Sequence, residues 1–144
     1  LAQEALNCFE EMQAEGLSPD TVTFVSILNA CSHSGRLEEA HLYFHEMCGK
    51  YGIIPDVEHY TCMVSVLGRL GQFNKAMSVI EMLPFPDYLP VWITLLSACK
   101  KWGNVKVGRL AFDEAVRIDN RCGAYTLMAD IYVASGMQKD VEKV

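Results

Sequence analysis

The chain lacks the residue patterns on which most enzymes and metal proteins depend. Its six cysteines include no CxxC pair, so neither a redox motif nor a zinc site of normal spacing is present. The motifs GxSxG and HExxH, a glycine-rich phosphate loop and the HxE…CxxC signature of zinc deaminases are also missing. The sequence therefore predicts a protein that is not an enzyme and that holds no metal and no cofactor.

Long apolar runs and an excess of positive charge are missing as well. Hydrophobic residues make up 51% of the chain, but no run approaches the ~20 apolar residues that a membrane helix needs, so we expect no membrane contact. The first five residues show no targeting segment. Twelve lysines and arginines stand against 18 acidic residues, and this net charge of −6 is unusual for a protein that binds phosphates.

What the chain does have is an internal repeat. Four times an aromatic residue is followed eleven positions later by a glycine, and successive aromatics lie 36, 32 and 33 residues apart. Such a period is typical of two-helix units that stack into a solenoid around one shared core. The four pairs are Phe24/Gly35, Tyr60/Gly71, Trp92/Gly103 and Tyr125/Gly136.

Each unit is predicted to contain a helix, a glycine turn, a second helix and a Pro-Asp stop. The residues seven positions after the aromatic return to the same helical face, and those five positions after the first three glycines are small enough for a neighbouring helix to approach. Glycine at the turn permits a positive φ, and proline does not continue a helix interior. The face residues are Cys31, Leu67, Cys99 and Tyr132, and the small ones are Ala40, Ala76 and Gly108.

The cysteines and histidines have structural interpretations on this pattern. Cys31 and Cys99 occupy the same predicted buried position, and we expect most of the six cysteines to be small core residues in a reducing compartment. His41 and His45 lie four residues apart on a predicted helix, where they are able in principle to share a metal. No third ligand stands near them in sequence, so an exposed pair is the favoured interpretation.

Residues 21–56 read TVTFVSILNACSHSGRLEEAHLYFHEMCGKYGIIPD, which is similar to a pentatricopeptide repeat. Residues 57–88, with YTCMV at 60–64 and LGRLG at 67–71, resemble the short repeat variant of the plant-specific subfamily. Residues 89–121, with LLSAC at 95–99, resemble the first of two extension repeats that close such proteins, and 122–144 resemble the start of the second. Residues 1–20 copy the second helix of a repeat, so we expect an earlier first helix outside this sequence.

A tetratricopeptide array is the competing interpretation, because it has a similar period. In a tetratricopeptide repeat, however, the glycine lies inside the first helix. In this chain the glycine lies at the turn, and a Pro-Asp pair precedes each of the first two aromatics of the repeat. The resemblance to pentatricopeptide repeats implies an all-α, right-handed superhelical solenoid of helix–turn–helix units whose first helices line a concave surface. Open ends of such a stack expose apolar surface and favour self-association.

The resemblance also implies a ligand, because pentatricopeptide proteins bind single-stranded RNA with one repeat per base. The reading positions are the residue after the aromatic and the last residue of the unit. Val25 pairs with Asp56 in this scheme, and Thr61 pairs with Asp87, a combination that favours guanine. Asp20 ends the preceding unit, and Tyr88 stands where the register places the partner of Thr61. The alternative roles of Thr61 and Asp87 are a helix start and a cap.

Two further expectations limit RNA binding by these residues. Val25 cannot hydrogen-bond, and the equivalent residues of the extension repeats, Ile93 and Thr126, are not expected to read bases. Arg69 and the Lys100–Lys101 pair provide only local basic spots. Since the net charge is −6, we expect the 144 residues alone to bind RNA weakly.

The extension repeats imply a role in cytidine-to-uridine editing of organellar transcripts. In such a factor the repeats choose the RNA, and the extension tethers or recruits a cytidine deaminase, in cis or in trans. Accessory organellar RNA-editing factor proteins are implied partners, on surfaces around residues 21–56. The family implies a location in the chloroplast or the mitochondrion. A protein-interaction scaffold and another organellar function, in RNA processing or stability, are the alternatives that the sequence leaves open.

Overall fold

A computed structural model describes residues 2–85, 87–121 and 123–136 of the chain. These residues form helices joined by short turns, and no strand occurs among them, which confirms the predicted all-α solenoid. The helices are α1 (Ala2–Ala14), α2 (Thr21–Ser34), α3 (Leu37–Gly49), α4 (Val57–Arg69), α5 (Phe73–Ile80), α6 (Leu89–Trp102), α7 (Val105–Ile118) and α8 (Ala124–Ser135).

The turns between paired helices depend on glycine. The four glycines predicted at these turns have φ values of 69°, 74°, 64° and 80°, in the left-handed region that other residues adopt only with strain. Three of them directly follow α2, α6 and α8, where their backbone N–H groups bond to carbonyls of the last turn. The glycine period in the sequence is therefore a period of helix ends. The glycines are Gly35, Gly71, Gly103 and Gly136.

Aspartate begins two of the first helices. Asp20 accepts a hydrogen bond from the backbone N–H of Thr23 at 2.9 Å, and Thr23 accepts one in return from the backbone N–H of Asp20. Asp56 caps α4 in the same way, with His59 as the reciprocal partner. These capping boxes satisfy backbone donors that the first turn leaves unpaired. The Pro-Asp pairs thus start the next helix as well as ending the previous unit.

The helices form two layers. The first helices α2, α4, α6 and α8 pack side by side, each against the next. The second helices lie behind this layer: α3 packs against α2 and α4, and α7 packs against α6 and α8. The layer of first helices is continuous. Those predicted reading residues that lie within a helix all belong to this layer.

The core lies between the two layers. The residues seven positions after the aromatics, Cys31, Leu67, Cys99 and Tyr132, are all at most 8% exposed, as the period predicts. The small residues after the glycines are also buried. A side chain on the third of these, Gly108, would meet Ile131 Cδ1 at 3.0 Å, so α7 and α8 are tightly packed at this point.

The cysteines follow the prediction only in part. Cys31, Cys62 and Cys99 are buried, and burial raises the pKa of their thiols to about 11, about 12 and about 12. Cys8 and Cys48 are exposed, so three of the five described cysteines are core residues and these two are not. Both lie on second helices, outside the positions that are buried where the two layers meet. Cys122 lies outside the described residues.

The predicted repeat borders after residues 20, 56, 88 and 121 fall in the connections between these helices. The assignment of each unit to a repeat type stays a prediction. The second helix expected in the last unit falls mostly on residues 137–144, which lie outside the described residues. Within the described ranges, none of the helices has both the length and the apolar character to cross a membrane.

Candidate nucleic-acid interface

The first helices present one mostly polar face that repeats from unit to unit. Residues one, five and nine positions after each aromatic lie four apart, so they fall on one side of the helix. None of them is buried on α2, α4 or α6. We call these nine residues the first-helix face: Val25, Asn29 and His33 on α2, Thr61, Ser65 and Arg69 on α4, and Ile93, Ser97 and Lys101 on α6.

Two hollows lie on this face. The first hollow has a volume of about 250 Å³ and lies between α2, α4 and the start of α6. The second hollow, of about 320 Å³, lies between α4 and α6. Ser65 and Thr94 line both. The first hollow is lined by Val25, Asn29, Glu58, Thr61, Cys62, Ser65, Tyr88 and Thr94, and the second by Ser65, Arg69, Ile93, Thr94, Ser97, Ala98 and Lys101.

Hydroxyl groups in the first hollow have defined hydrogen-bonding roles. Thr61 Oγ1 donates its hydrogen to the carbonyl oxygen of Val57 at 2.7 Å, so toward the hollow it is only an acceptor. Ser65 Oγ accepts from Ser32 Oγ at 2.6 Å, which leaves its own hydrogen free to donate. The hollow therefore offers an acceptor at Thr61 and a donor at Ser65, beside the apolar wall of Val25.

Tyr88, rather than Asp87, lines the first hollow. Asp87 accepts a hydrogen bond at 2.6 Å from Arg117 on α7, which also binds Glu114, and both carboxylates raise the pKa of the Arg117 guanidinium. Burial raises the pKa of the Tyr88 phenol, and the carboxylates of Glu58 and Asp56 raise it further. Among the two predicted partners of Thr61, the geometry thus favours Tyr88, and a reading role for either stays a prediction.

Asp20 and Asp56 do not line the first hollow. The Asp56 carboxylate accepts the backbone N–H of Glu58 at 3.0 Å. Asp20 lines a separate apolar hollow of about 550 Å³ beside α1 and α2, and hydrogen bonds from Thr23 lower the pKa of its carboxyl. Both aspartates are therefore seen as helix caps, and their predicted reading roles stay predictions.

A basic edge runs along the other end of the face. Arg69 and Lys101 stand in the last turns of α4 and α6, where a cation is stabilised by the helix dipole, and His33 stands at the same place on α2. Arg69 Nη2 lies 3.3 Å from His33 Nδ1, and Lys101 Nζ donates to the Arg69 carbonyl at 3.2 Å. Lys100 is different, because it pairs with Asp130 on α8 at 3.2 Å. Of the basic residues noted in the sequence, Arg69 and Lys101 thus belong to one row and Lys100 does not.

Comparison with known proteins agrees with this geometry. The sequence model of the pentatricopeptide repeat domain matches residues 7–70, and that of the single PPR repeat matches residues 58–84. This chain belongs to the pentatricopeptide repeat family. Two pentatricopeptide repeat-containing proteins of Arabidopsis thaliana are 44% identical over 142 residues and 40% identical over 144 residues. A third, named as mitochondrial, is 40% identical over 143 residues.

These relatives are much longer than the chain. The matched regions include 98–99% of this chain but only 20%, 26% and 24% of the lengths of the three relatives. The crystal structure of the pentatricopeptide repeat protein PPR10 from maize matches 96% of the chain with a TM-score of 0.73 at 20% identity, and the match spans 20% of that protein. The shared fold is a pentatricopeptide solenoid.

The seam between α2 and α4 of this pentatricopeptide chain has polar contacts at three points along its length. Cys62 Sγ donates to Asn29 Oδ1 at 3.1 Å, and the Ser32–Ser65 bond lies one turn further on. At the start of the seam, His59 Nε2 lies 3.0 Å from the carbonyl oxygen of Thr21. The pattern of reading positions did not single out Asn29, Ser65 or His59. A four-residue spacing from the reading positions is the signal that identifies the first two.

His41 and His45 are both exposed on α3, as expected for an unliganded pair. Within residues 2–85, 87–121 and 123–136, no three histidine, cysteine or acidic side chains are placed to hold a metal ion.

Proposed function

We propose that this pentatricopeptide chain is an RNA-reading region of a cytidine-to-uridine editing specificity factor. The observation that carries the proposal is the first hollow, in which Thr61 presents only an acceptor next to the donor of Ser65 and the apolar wall of Val25. Such a site fits the edge and the face of one unstacked base, which is how single-stranded RNA is recognised. The basic edge lies on the same face, where phosphates of the strand can pair with it.

Guanine is the base that fits the first hollow best. Its N1–H and N2–H groups are donors for the Thr61 acceptor, and its O6 accepts from a hydroxyl such as that of Ser65. The Glu58 carboxylate also lines the hollow and adds a second acceptor for these donors. Cytosine, adenine and uracil each present only one donor group on the same edge.

The affinity of these residues alone is expected to be low. The net charge of −6 opposes phosphate binding, and the described residues form few reading hollows. Since the chain spans about a fifth to a quarter of the relatives above, we propose that other repeats of the full-length protein supply most of the affinity.

The test of base reading is Thr61→Asn in the full-length protein, with selection from a randomised single-stranded RNA pool. Asparagine adds a donor where the wild type offers only an acceptor, so we expect the preferred base to change at one RNA position alone. Thr126→Asn is the matched control, because Thr126 is exposed at the equivalent position of an extension repeat. If Thr61→Asn leaves the base preference unchanged, the result would favour the alternative that this end of the protein is a scaffold for other proteins.

The editing role rests on the resemblance of residues 89–121 and 122–144 to extension repeats. We propose that these repeats tether or recruit a cytidine deaminase, that accessory editing factors bind around residues 21–56, and that the protein acts in an organelle. Two relatives carry the word mitochondrial in their names, which favours the mitochondrion over the chloroplast. Plants without the protein should lose editing at one or a few cytidines, and Thr61→Asn should fail to restore it. Intact editing with altered splicing or transcript levels would indicate the other RNA-processing role.

A scaffold for proteins is the second candidate, and the exposed apolar residues favour it. Ile54 and Phe85 lie in the connections that precede α4 and α6, and they are 85% and 66% exposed. If they and not the hollows are functional, Ile54→Ser should abolish partner binding and leave RNA selection intact.

A further inference from the structure

We propose that His59 is a positioning residue of the first hollow, whose ring ties the first turn of α4 to the first turn of α2. The inference rests on the proposed function, since the hollow between these helices is where a base is to bind. His59 is fully buried at 0% exposure, and it does not itself line the hollow. It therefore acts through the helices that carry Val25 and Thr61.

Both ring nitrogens of His59 have a partner. The backbone N–H of Asp56 donates to Nδ1 at 3.0 Å, and the Asp56 carboxylate lies 3.2 Å from the same nitrogen. The Thr21 carbonyl can only accept, so Nε2 carries a hydrogen and donates it to this oxygen at 3.0 Å. One bond closes the cap of α4, and the other crosses to the preceding unit. A buried ring with both nitrogens satisfied has a fixed orientation.

The preceding unit shows what the histidine adds. There, Thr23 occupies the same capping position after Asp20 and accepts the backbone N–H of Asp20 at 3.3 Å. A threonine hydroxyl closes the cap, but it is too short to reach another helix. His59 performs the same local role through Nδ1 and, because its ring has a second nitrogen, also forms a bridge between units.

The bridge from His59 ends on the Thr21 carbonyl, which lies one helical turn before Val25. In the helical pattern the Thr21 carbonyl also accepts the backbone N–H of Val25, four residues on. Across the seam, Thr61 stands two residues after His59 and is bonded to the first residue of α4, Val57. The bridge thus joins the two turns that present Val25 and Thr61, and it sets the width of the hollow between them.

Two amide variants separate the roles of the two nitrogens in the full-length protein. In His59→Asn, the side-chain oxygen takes the place of Nδ1, so the cap is kept and the bridge is lost. In His59→Gln, the side-chain nitrogen takes the place of Nε2, so the bridge is kept and the cap is lost. Both bury one amide, which makes them a matched pair. Thr23→Ala is the control for a cap without a bridge.

Hydrogen exchange and RNA selection are the two measurements. We expect His59→Asn to raise amide exchange in the first turn of α2, and to weaken the base preference of the Thr61 position about three- to tenfold while other positions keep theirs. His59→Gln should raise exchange at residues 56–60 and keep more of the preference. Thr23→Ala should raise exchange only near residues 20–24 and leave the preference unchanged.

The outcomes distinguish this proposal from the proposed function. If His59→Asn leaves exchange in α2 at the wild-type level, there is no bridge and the inference is wrong. If exchange rises but the preference stays as strong as in the wild type, the bridge is structural only, and the positioning role is wrong. If the preference does not respond to Thr61→Asn either, the proposed function fails, and the exchange data alone decide whether the bridge exists.

Discussion

The hydrogen-bonding roles of two hydroxyl groups in the first hollow depend on single hydrogen atoms. The Thr61 hydroxyl gives its only hydrogen to the Val57 carbonyl at 2.7 Å, and the Ser65 hydroxyl keeps its own because Ser32 donates to it. Two chemically similar residues on one helix therefore face a ligand with opposite polarity. The sequence contains both hydroxyls but not their directions, because each depends on a backbone or side-chain partner.

The reactivity of each cysteine tests how deeply that residue is buried. We expect alkylation at pH 8 to modify Cys8 and Cys48 quickly and to spare Cys31, Cys62 and Cys99 until the protein is unfolded. Burial raises the pKa of the latter three to about 11 or 12, so the reactive thiolate is on the order of one part in a thousand or less. Burial also raises the pKa of Cys48, so Cys8 should react first.

Mass spectrometry of peptides after timed alkylation measures each site separately. Unfolding in urea before alkylation is the control, since all sites should then react at similar rates. Modification of Cys62 at the rate of Cys8 in the native protein would contradict the buried seam between α2 and α4.

Between helices, successive seams use different contacts. The α2–α4 seam has polar bonds at several points along its length, whereas α4 and α6 approach closely at one glycine. A side chain on Gly68 would lie 2.6 Å from Ala98 Cβ, well inside van der Waals contact. Nearby, the Trp102 indole donates to the Gly68 carbonyl at 3.0 Å. The glycine is therefore needed for helix packing rather than for a turn.

Gly68→Ala should destabilise this seam by about 1–3 kcal/mol, because the added methyl group forces α4 and α6 apart. Gly49→Ala is the matched control: Gly49 also lies in a helix, and a side chain there meets nothing within 4 Å. Alanine has the higher helix propensity, so we expect the control to be neutral or up to about 1 kcal/mol more stable. Urea unfolding of the three proteins measures both effects. Equal midpoints for the two variants would contradict the close approach.

The helix ends and the contacts between helices show how far the sequence predicts this structure. The glycine period predicted the helix ends, and the seven-residue offset predicted the buried stripe of Cys31 and Leu67. These features depend on local backbone geometry and on helical periodicity, which sequence displays directly. The partner of Asp87 and the bridge of His59 were not predictable, because Arg117 lies 30 residues from Asp87, and Thr21 lies 38 residues from His59. Both contacts depend on how the units stack in space.

At the scale of the whole molecule the net charge is −6, but charge is separated along the helices that form the first-helix face. Carboxylates lie where α2 and α4 begin, at Asp20, Asp56 and Glu58. The cations Arg69 and Lys101 lie where α4 and α6 end. An RNA strand that crosses the first-helix face is therefore expected to place its phosphates near the helix ends and its bases toward the hollows. We therefore expect the acidic composition to lower the affinity and the charge separation to orient the strand.

Neutralising the basic edge should weaken RNA binding without changing base preference. In the full-length protein, we expect Arg69→Gln and Lys101→Gln each to lower affinity for all sequences alike and to reduce the slope of log affinity against log salt by about 0.7, the value for one phosphate contact on a single strand. Lys75→Gln and Lys106→Gln make the same change of charge on exposed positions of the second helices α5 and α7, and they should have little effect. Binding titrations at several salt concentrations measure the slopes. If the control variants weaken binding as much as Arg69→Gln does, the affinity depends on net charge alone, and the basic edge does not orient the strand.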